Sequence, residues 1–275
     1  MIADAFRGET LKLRANRSVL LWGFAAAPLI TFAFGLGGSL FVWATVPMAG
    51  AVGRPPLLTD MTDALGAAGN PIWHVFYIMA AATLFAGEYR WETWRFIVPR
   101  NRRRDLLAGK LAAFTAFAAV SIALVLIAGF AVTMIDAVLH RAGAAAHPDP
   151  AAGWAAFLMM YTIGLAQLCA VASVTALVAV ITRSLLGAVM TVFLFGLGQV
   201  VFVGMFAEAA SDPRFVAALP NLAAGTAREW AAQIAGDPDA SSTYGPVAVA
   251  ALLAWIVAPI AASMAIFSRQ DLAQE

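Results

Sequence analysis

The sequence predicts an all-α polytopic membrane protein: six transmembrane helices, an interfacial helix at the N-terminus and a cytoplasmic coupling loop between the second and third spans. Three observations carry that prediction. Hydrophobic residues make up 62% of the 275 residues and charged residues only 12%, against roughly 45–50% and about 25% in soluble domains. Several apolar runs reach the roughly 20 residues that cross the hydrocarbon core of a bilayer. Seven of the seventeen Lys and Arg residues fall in 87–110, GEYRWETWRFIVPRNRRRDLLAGK, and a short loop that collects basic residues stays on the cytoplasmic side because they resist translocation. The whole chain, 1–275, reads as a single transmembrane domain.

Residues 1–17 precede the first apolar run. On a helical wheel Ile2, Phe6 and Leu13 fall on one arc with Asp4, Gly8 and Lys12 opposite, which suits a helix lying in the inner membrane interface. Arg7 and Arg14 flank the arc and can reach headgroups. Hydropathy then places spans at about 18–43, 72–86, 111–137, 154–181, 185–207 and 246–267. The second is short in strictly apolar residues and contains His74. Gly and Pro cluster in 47–56 and 147–153, which read as loops. The long connection 208–245 carries an amphipathic helix after Pro220: Asn221 suits the N-cap, Leu222, Thr226, Trp230 and Ile234 repeat every four residues, and Gly236 suits the stop. That helix is expected to rest on the outer membrane surface.

Topology follows from charge. With the N-terminus inside, thirteen Lys and Arg lie in inner segments and four, Arg54, Arg141, Arg214 and Arg228, in outer ones. That asymmetry puts both termini in the cytoplasm. The net charge of +1 says little about partners, and nothing points to nucleic acid.

Much chemistry is excluded. Neither Lys12 nor Lys110 ends a glycine-rich phosphate loop, so the chain is not expected to hydrolyse nucleotide itself. No nucleophile and base are paired within the spans, so no catalytic residue is assigned. Cys169 is the lone cysteine. His140 and His147 near Asp149 make a weak metal pattern, and neither a metal nor a cofactor is expected in this chain. Asp136, near the outer end of its span, is expected to reach water. Polar residues at membrane depth join helices or line a path. Gln167 and Ser173 on the fourth span and Gln199 on the fifth are the candidates for a substrate path, with helix packing as the alternative.

In the second loop, a helix over 88–98 puts Trp91, Trp94 and Val98 on one face and Glu88, Glu92 and Arg95 on a charged face turned to the cytoplasm. Pro99 ends it, Arg100–Arg104 follow, and Asp105 is expected to cap the third span. A basic run of this kind also suits an anchor on anionic lipid.

The order Gly87-Glu88-Tyr89-Arg90, then Thr93, Pro99 and Arg102, with Lys110 opening the next span, resembles the second-to-third-span loop of permease subunits of ATP-binding cassette exporters of the second class, the ABC-2 type. The interfacial helix, six spans, cytoplasmic ends and enlarged last outer loop are similar to that family's layout over nearly the whole chain. Glu92 stands where the family usually has Gly, and Arg102–Arg104 is more basic than usual. The resemblance implies a cell-membrane permease that pairs with a second permease copy or homologue and docks a separate ATPase subunit, which holds the ATP and Mg. It assigns Glu88, Arg90, Thr93, Arg95, Pro99 and Arg102 to that coupling. The rival from another class is a secondary transporter or channel with no ATPase partner, which usually shows broken helices or intramembrane charges in matching halves.

Overall fold

The computed structural model describes residues 2–45, 71–90, 102–140, 150–206, 212–234, 240 and 242–270. No strand occurs among them. Nine helical elements follow one another: α1 (Ile2–Ala15), α2 (Arg17–Thr45), α3 (Pro71–Arg90), α4 (Arg103–His140), α5 (Pro150–Thr182), α6 (Leu185–Met205), α7 (Pro213–Ala218), α8 (Pro220–Ile234) and α9 (Gly245–Arg269). The expected loop at 47–56, residues 147–149 of the one at 147–153, the Gly236 stop and the face of Trp91, Trp94 and Val98 lie outside the described residues. Residues 150–153, also expected as loop, form the first turn of α5, which Pro150 can open because its missing N–H would have no partner there.

Five of these helices, α2, α4, α5, α6 and α9, are long and apolar enough to cross a membrane. The remaining expected span falls on α3, which is twenty residues long but carries His74, Glu88 and Arg90. Its polarity is tolerated because neighbours cover it: His74, Tyr77, Ile78, Ala80–Ala82, Leu84–Ala86 and Glu88 are all buried. The outward faces of the long helices are apolar. Phe34 is 77% exposed and Val138 79%, with Leu186, Leu194, Val201 and Val257 similarly bare, as lipid-facing side chains are in a bundle whose surrounding medium is hydrocarbon.

Helices approach through small residues. Ala80, Ala81, Ala82, Ala113, Ala118, Ala172, Ala176 and Ala179 sit in the core with almost no exposed surface, where a short side chain lets backbones close in and gain dispersion contacts that lipid cannot replace. A Cβ at Gly23 would lie 2.7 Å from that of Ala80, and one at Gly35 would lie 2.9 Å from a Val132 methyl. α2 packs along α4, α9 along α5, and α3 against α5 and α6.

Within α2 the stretch Leu20–Ala25 winds as a π-helix. The wider winding disturbs the regular carbonyl ladder. The Phe24 carbonyl accepts a hydrogen bond from Ser121 Oγ, which in turn lies 2.9 Å from the Tyr77 hydroxyl. α2, α3 and α4 are thus joined by a buried polar chain where the sequence shows only apolar helices.

The structure shows which faces of the two accessory helices are covered. α1 buries Ala5, Glu9 and Leu13, while Ile2 is 52% exposed. The buried stripe is rotated from the expected arc because α1 docks on the first turns of α4, where a Cβ at Gly109 would meet that of Ala5 at 2.7 Å. α8 buries Pro220, Ala223, Ala224, Thr226, Ala227 and Ala231 against α5 and α9, so of the expected stripe Thr226 is covered and Leu222 packs beside it, and the Ala ridge sets the close approach.

Candidate functional site

One end of the bundle gathers the charges. Lys110 is 1% exposed, and its Nζ lies 2.5 Å from Glu88 Oε1, 3.2 Å from Glu9 Oε2 and 2.6 Å from the Leu84 carbonyl. Lys12, half-exposed, reaches Glu9 Oε1 at 2.8 Å and Glu88 Oε1 at 3.1 Å. Two ammonium groups and two carboxylates therefore tie α1, α3 and α4 together. Partial burial pulls the Lys12 ammonium down, but the facing Glu88 and Glu9 carboxylates outweigh it and hold its pKa above the usual lysine value.

Adjacent contacts extend the junction to α9 and α5. Arg103 Nη1 donates to the carbonyls of Phe267 at 2.7 Å and Gln270 at 2.6 Å, and its guanidinium carbon lies 5.6 Å from the Phe267 ring centre. A cation on the carbonyls at a helix C-terminus is favoured by both hydrogen bonding and the helix dipole. The Tyr89 hydroxyl donates to Gln270 Oε1, and Gln270 Nε2 donates to the Val180 carbonyl, each at 2.8 Å. Between α5 and α6 the chain turns in two residues, with Arg183 at φ 51° and the Ser184 hydroxyl capping Gly187. Five helices thus meet in one polar knot.

The expected coupling residues are distributed unevenly over this end. Glu88 is buried in the ion-pair cluster and does not join a charged face turned to the cytoplasm, because Lys110 and Lys12 draw it inward. α3 runs on to Arg90, and α4 begins at Arg103, so Lys110 lies inside a helix and Asp105 sits in its first turn without acting as its cap. Arg102, just ahead of α4, is exposed. Thr93, Arg95 and Pro99 lie outside the described residues. Sequence reasoning missed Glu9, Lys110, Arg103 and Gln270 as parts of one assembly. The available signal was a Lys eight residues into a long apolar helix and a Glu on the core-facing side of an amphipathic one, since buried charges occur in pairs.

The three candidate path residues do not share one place. Gln167 and Gln199 are brought together by Asn221: Gln167 Nε2 donates to Asn221 Oδ1 at 3.3 Å, and the Asn221 backbone N–H donates to Gln199 Oε1 at 3.0 Å. Asn221 is therefore not the cap of α8. Pro220 occupies the first turn, and the Gln199 side chain satisfies an N–H that the helix start leaves open. Arg228, also on α8, donates to Gln167 Oε1 at 3.2 Å. His74, Gln167, Gln199 and Asn221 supply the polar lining of a cavity of about 20 Å³, completed by Val171, Val192 and other apolar residues. Ser173 is fully buried outside it, its hydroxyl without a partner among the described residues. No group of three or more His, Cys, Asp or Glu that could hold a metal occurs among the described residues.

A family model described as ABC-2 family transporter protein matches residues 58–272. No curated protein matches the chain.

Proposed function

The chain belongs to the ABC-2 family of transporter proteins, and from that premise we propose that it is the permease subunit of an ATP-driven exporter, receiving mechanical work from a separate ATP-binding subunit. In this reading α3 is the second of six spans, both termini are cytoplasmic, the host is the cell membrane, and two permease chains pair around the transport path. The observation that carries the reading is the cluster of buried Glu9, Glu88 and Lys110 with the half-exposed Lys12. It joins the N-terminal helix rigidly to the two spans from which the basic connection 91–102 emerges. A push delivered to that connection is then passed to α1, α3, α4 and α9 as a unit, and a partner can shift a conformational equilibrium only through contacts that differ between the two states.

The coupling roles divide accordingly. Arg102, exposed, contacts the ATPase directly, together with Arg90, Thr93, Arg95 and Pro99, while Glu88 acts as a positioning residue from inside the cluster. Co-expression with an ATP-binding subunit encoded beside it, followed by purification and reconstitution, tests the proposal. The complex is expected to co-purify, and Arg102→Ala is expected to separate ATP hydrolysis from transport while leaving the melting temperature unchanged. A chain that binds no ATPase and moves its substrate on an ion gradient alone refutes it in favour of a secondary transporter.

A further inference from the structure

Pro28 stands inside α2, three residues beyond the π-helical stretch Leu20–Ala25. It has no N–H for the Phe24 carbonyl four residues earlier, and its ring presses on that carbonyl. Prolines and π-bulges are the places where long helices bend. In hydrocarbon the freed carbonyl must find another donor, and here it is Ser121 Oγ of α4. Other hydroxyls of the long helices behave differently. Thr45, Thr83, Thr115, Thr133, Thr175 and Thr182 each donate to the carbonyl four residues back in their own helix. Ser121 has the same option in the Phe117 carbonyl, yet it serves α2. Its one hydrogen being so used, its oxygen accepts from the Tyr77 hydroxyl of α3, 2.9 Å away.

The burial of α2 divides at the same place. Gly23, Phe24, Ala26, Ala27 and Pro28 are buried, and the Phe24 ring lies 5.5–6.3 Å from those of Tyr77, Phe114 and Phe117. Beyond Pro28, the side chains of Leu29, Phe34, Phe41 and Trp43 are exposed, while Gly35 approaches Val132 of α4 on one side. A donor on α2 itself would satisfy Phe24 wherever the neighbouring helices stood. A donor on α4 satisfies it only while α2, α3 and α4 keep this arrangement. We propose that Pro28 makes α2 a hinge and that Ser121, supported by Tyr77, is its latch. When the Ser121 hydroxyl turns to the Phe117 carbonyl, the Phe24 carbonyl is released and residues 29–45 swing against α4. Ser121 keeps a hydrogen bond in either setting, so the cost of unlatching is confined to the Phe24 carbonyl. Such an equilibrium is one that contacts elsewhere can bias. That the swing serves transport rests on the permease reading; the hinge itself does not.

Double electron–electron resonance on the full chain in nanodiscs, spin-diluted with unlabelled protein, tests the proposal. Labels are attached at Phe41→Cys, beyond the hinge, and Leu158→Cys on α5, in a Cys169→Ala background. Both positions are exposed. Ser121→Ala should raise the population of a second distance by about threefold to tenfold, the scale of losing one neutral hydrogen bond. Pro28→Ala restores an N–H to Phe24, so it should give a single narrow distance that adding Ser121→Ala leaves unchanged. Tyr77→Phe, which keeps the ring contact and removes only the supporting hydroxyl, should shift the population in the same direction as Ser121→Ala. A folding defect in one variant therefore does not decide the matter. A distribution unchanged in both Ser121→Ala and Tyr77→Phe overturns the proposal. So does a shift by Ser121→Ala that is equal with and without Pro28, which would make the serine a packing contact only. No ATPase is present in this measurement, so its failure leaves the coupling experiment standing.

Discussion

Replacing Lys110 by Met removes the cation on which the junction turns. The side chain keeps nearly the same length and loses its charge, so Glu88 and Glu9, whose side chains are 9% and 6% exposed, remain as two carboxylates within one buried pocket. The Leu84 carbonyl loses its donor as well. Removing one partner of a buried ion pair typically costs about 3–5 kcal/mol. Lys12 still faces both carboxylates at 2.8 and 3.1 Å, but it is 51% exposed and screened, so the lower end, about 3 kcal/mol, is expected. At roughly 2–4 °C per kcal/mol for a chain of this order of size, the melting temperature should fall by about 6–12 °C. The assay is thermal unfolding in detergent, run as a double-mutant cycle with Glu88→Gln. Neutralising Glu88 in the Lys110→Met background removes the stranded charge, so the double variant should be more stable than Lys110→Met alone. Strictly additive losses, or a Lys110→Met protein that melts with the wild type, would refute the account of the cluster as one coupled unit.

Three further outcomes follow from other contacts. Gly245→Ala places a Cβ 2.0 Å from the Trp230 ring, a collision with the body of a bulky side chain that should cost about 1–3 kcal/mol and shift Trp230 fluorescence. A pH titration should show that Lys12, whose pKa is raised by folding, contributes stability that is fully present below its ordinary value of 10.5 and is lost as pH rises through the folded value. Wild type should therefore fall more steeply than Lys12→Met in melting curves above that pH, and equal slopes would contradict the pairing. In a Cys169→Ala background, cysteines at Asn101 and Gln270 should be shielded from an impermeant thiol reagent in intact cells while one at Ala240 labels, and external labelling at Asn101 would invert the topology.

Composition and the distribution of charge were enough to predict a helical membrane protein, and hydropathy located its long helices to within several residues, because crossing hydrocarbon imposes a length and an apolarity that every such segment must display. The resemblance around Gly87–Arg90 pointed to the family that the match over residues 58–272 shows. What the sequence could not display was which polar residues meet. Glu9 and Lys110 are 101 residues apart, Gln167 and Arg228 are 61 apart, and no local periodicity encodes such partners. The rotation of α1 was decided by the notch at Gly109, and the burial of α8 by its Ala face, since close approach depends on the shape of the neighbouring helix as much as on a helix's own apolar stripe. Glu88 illustrates the difference: alone in sequence it reads as a surface charge, and only the two lysines that folding brings beside it make its burial affordable.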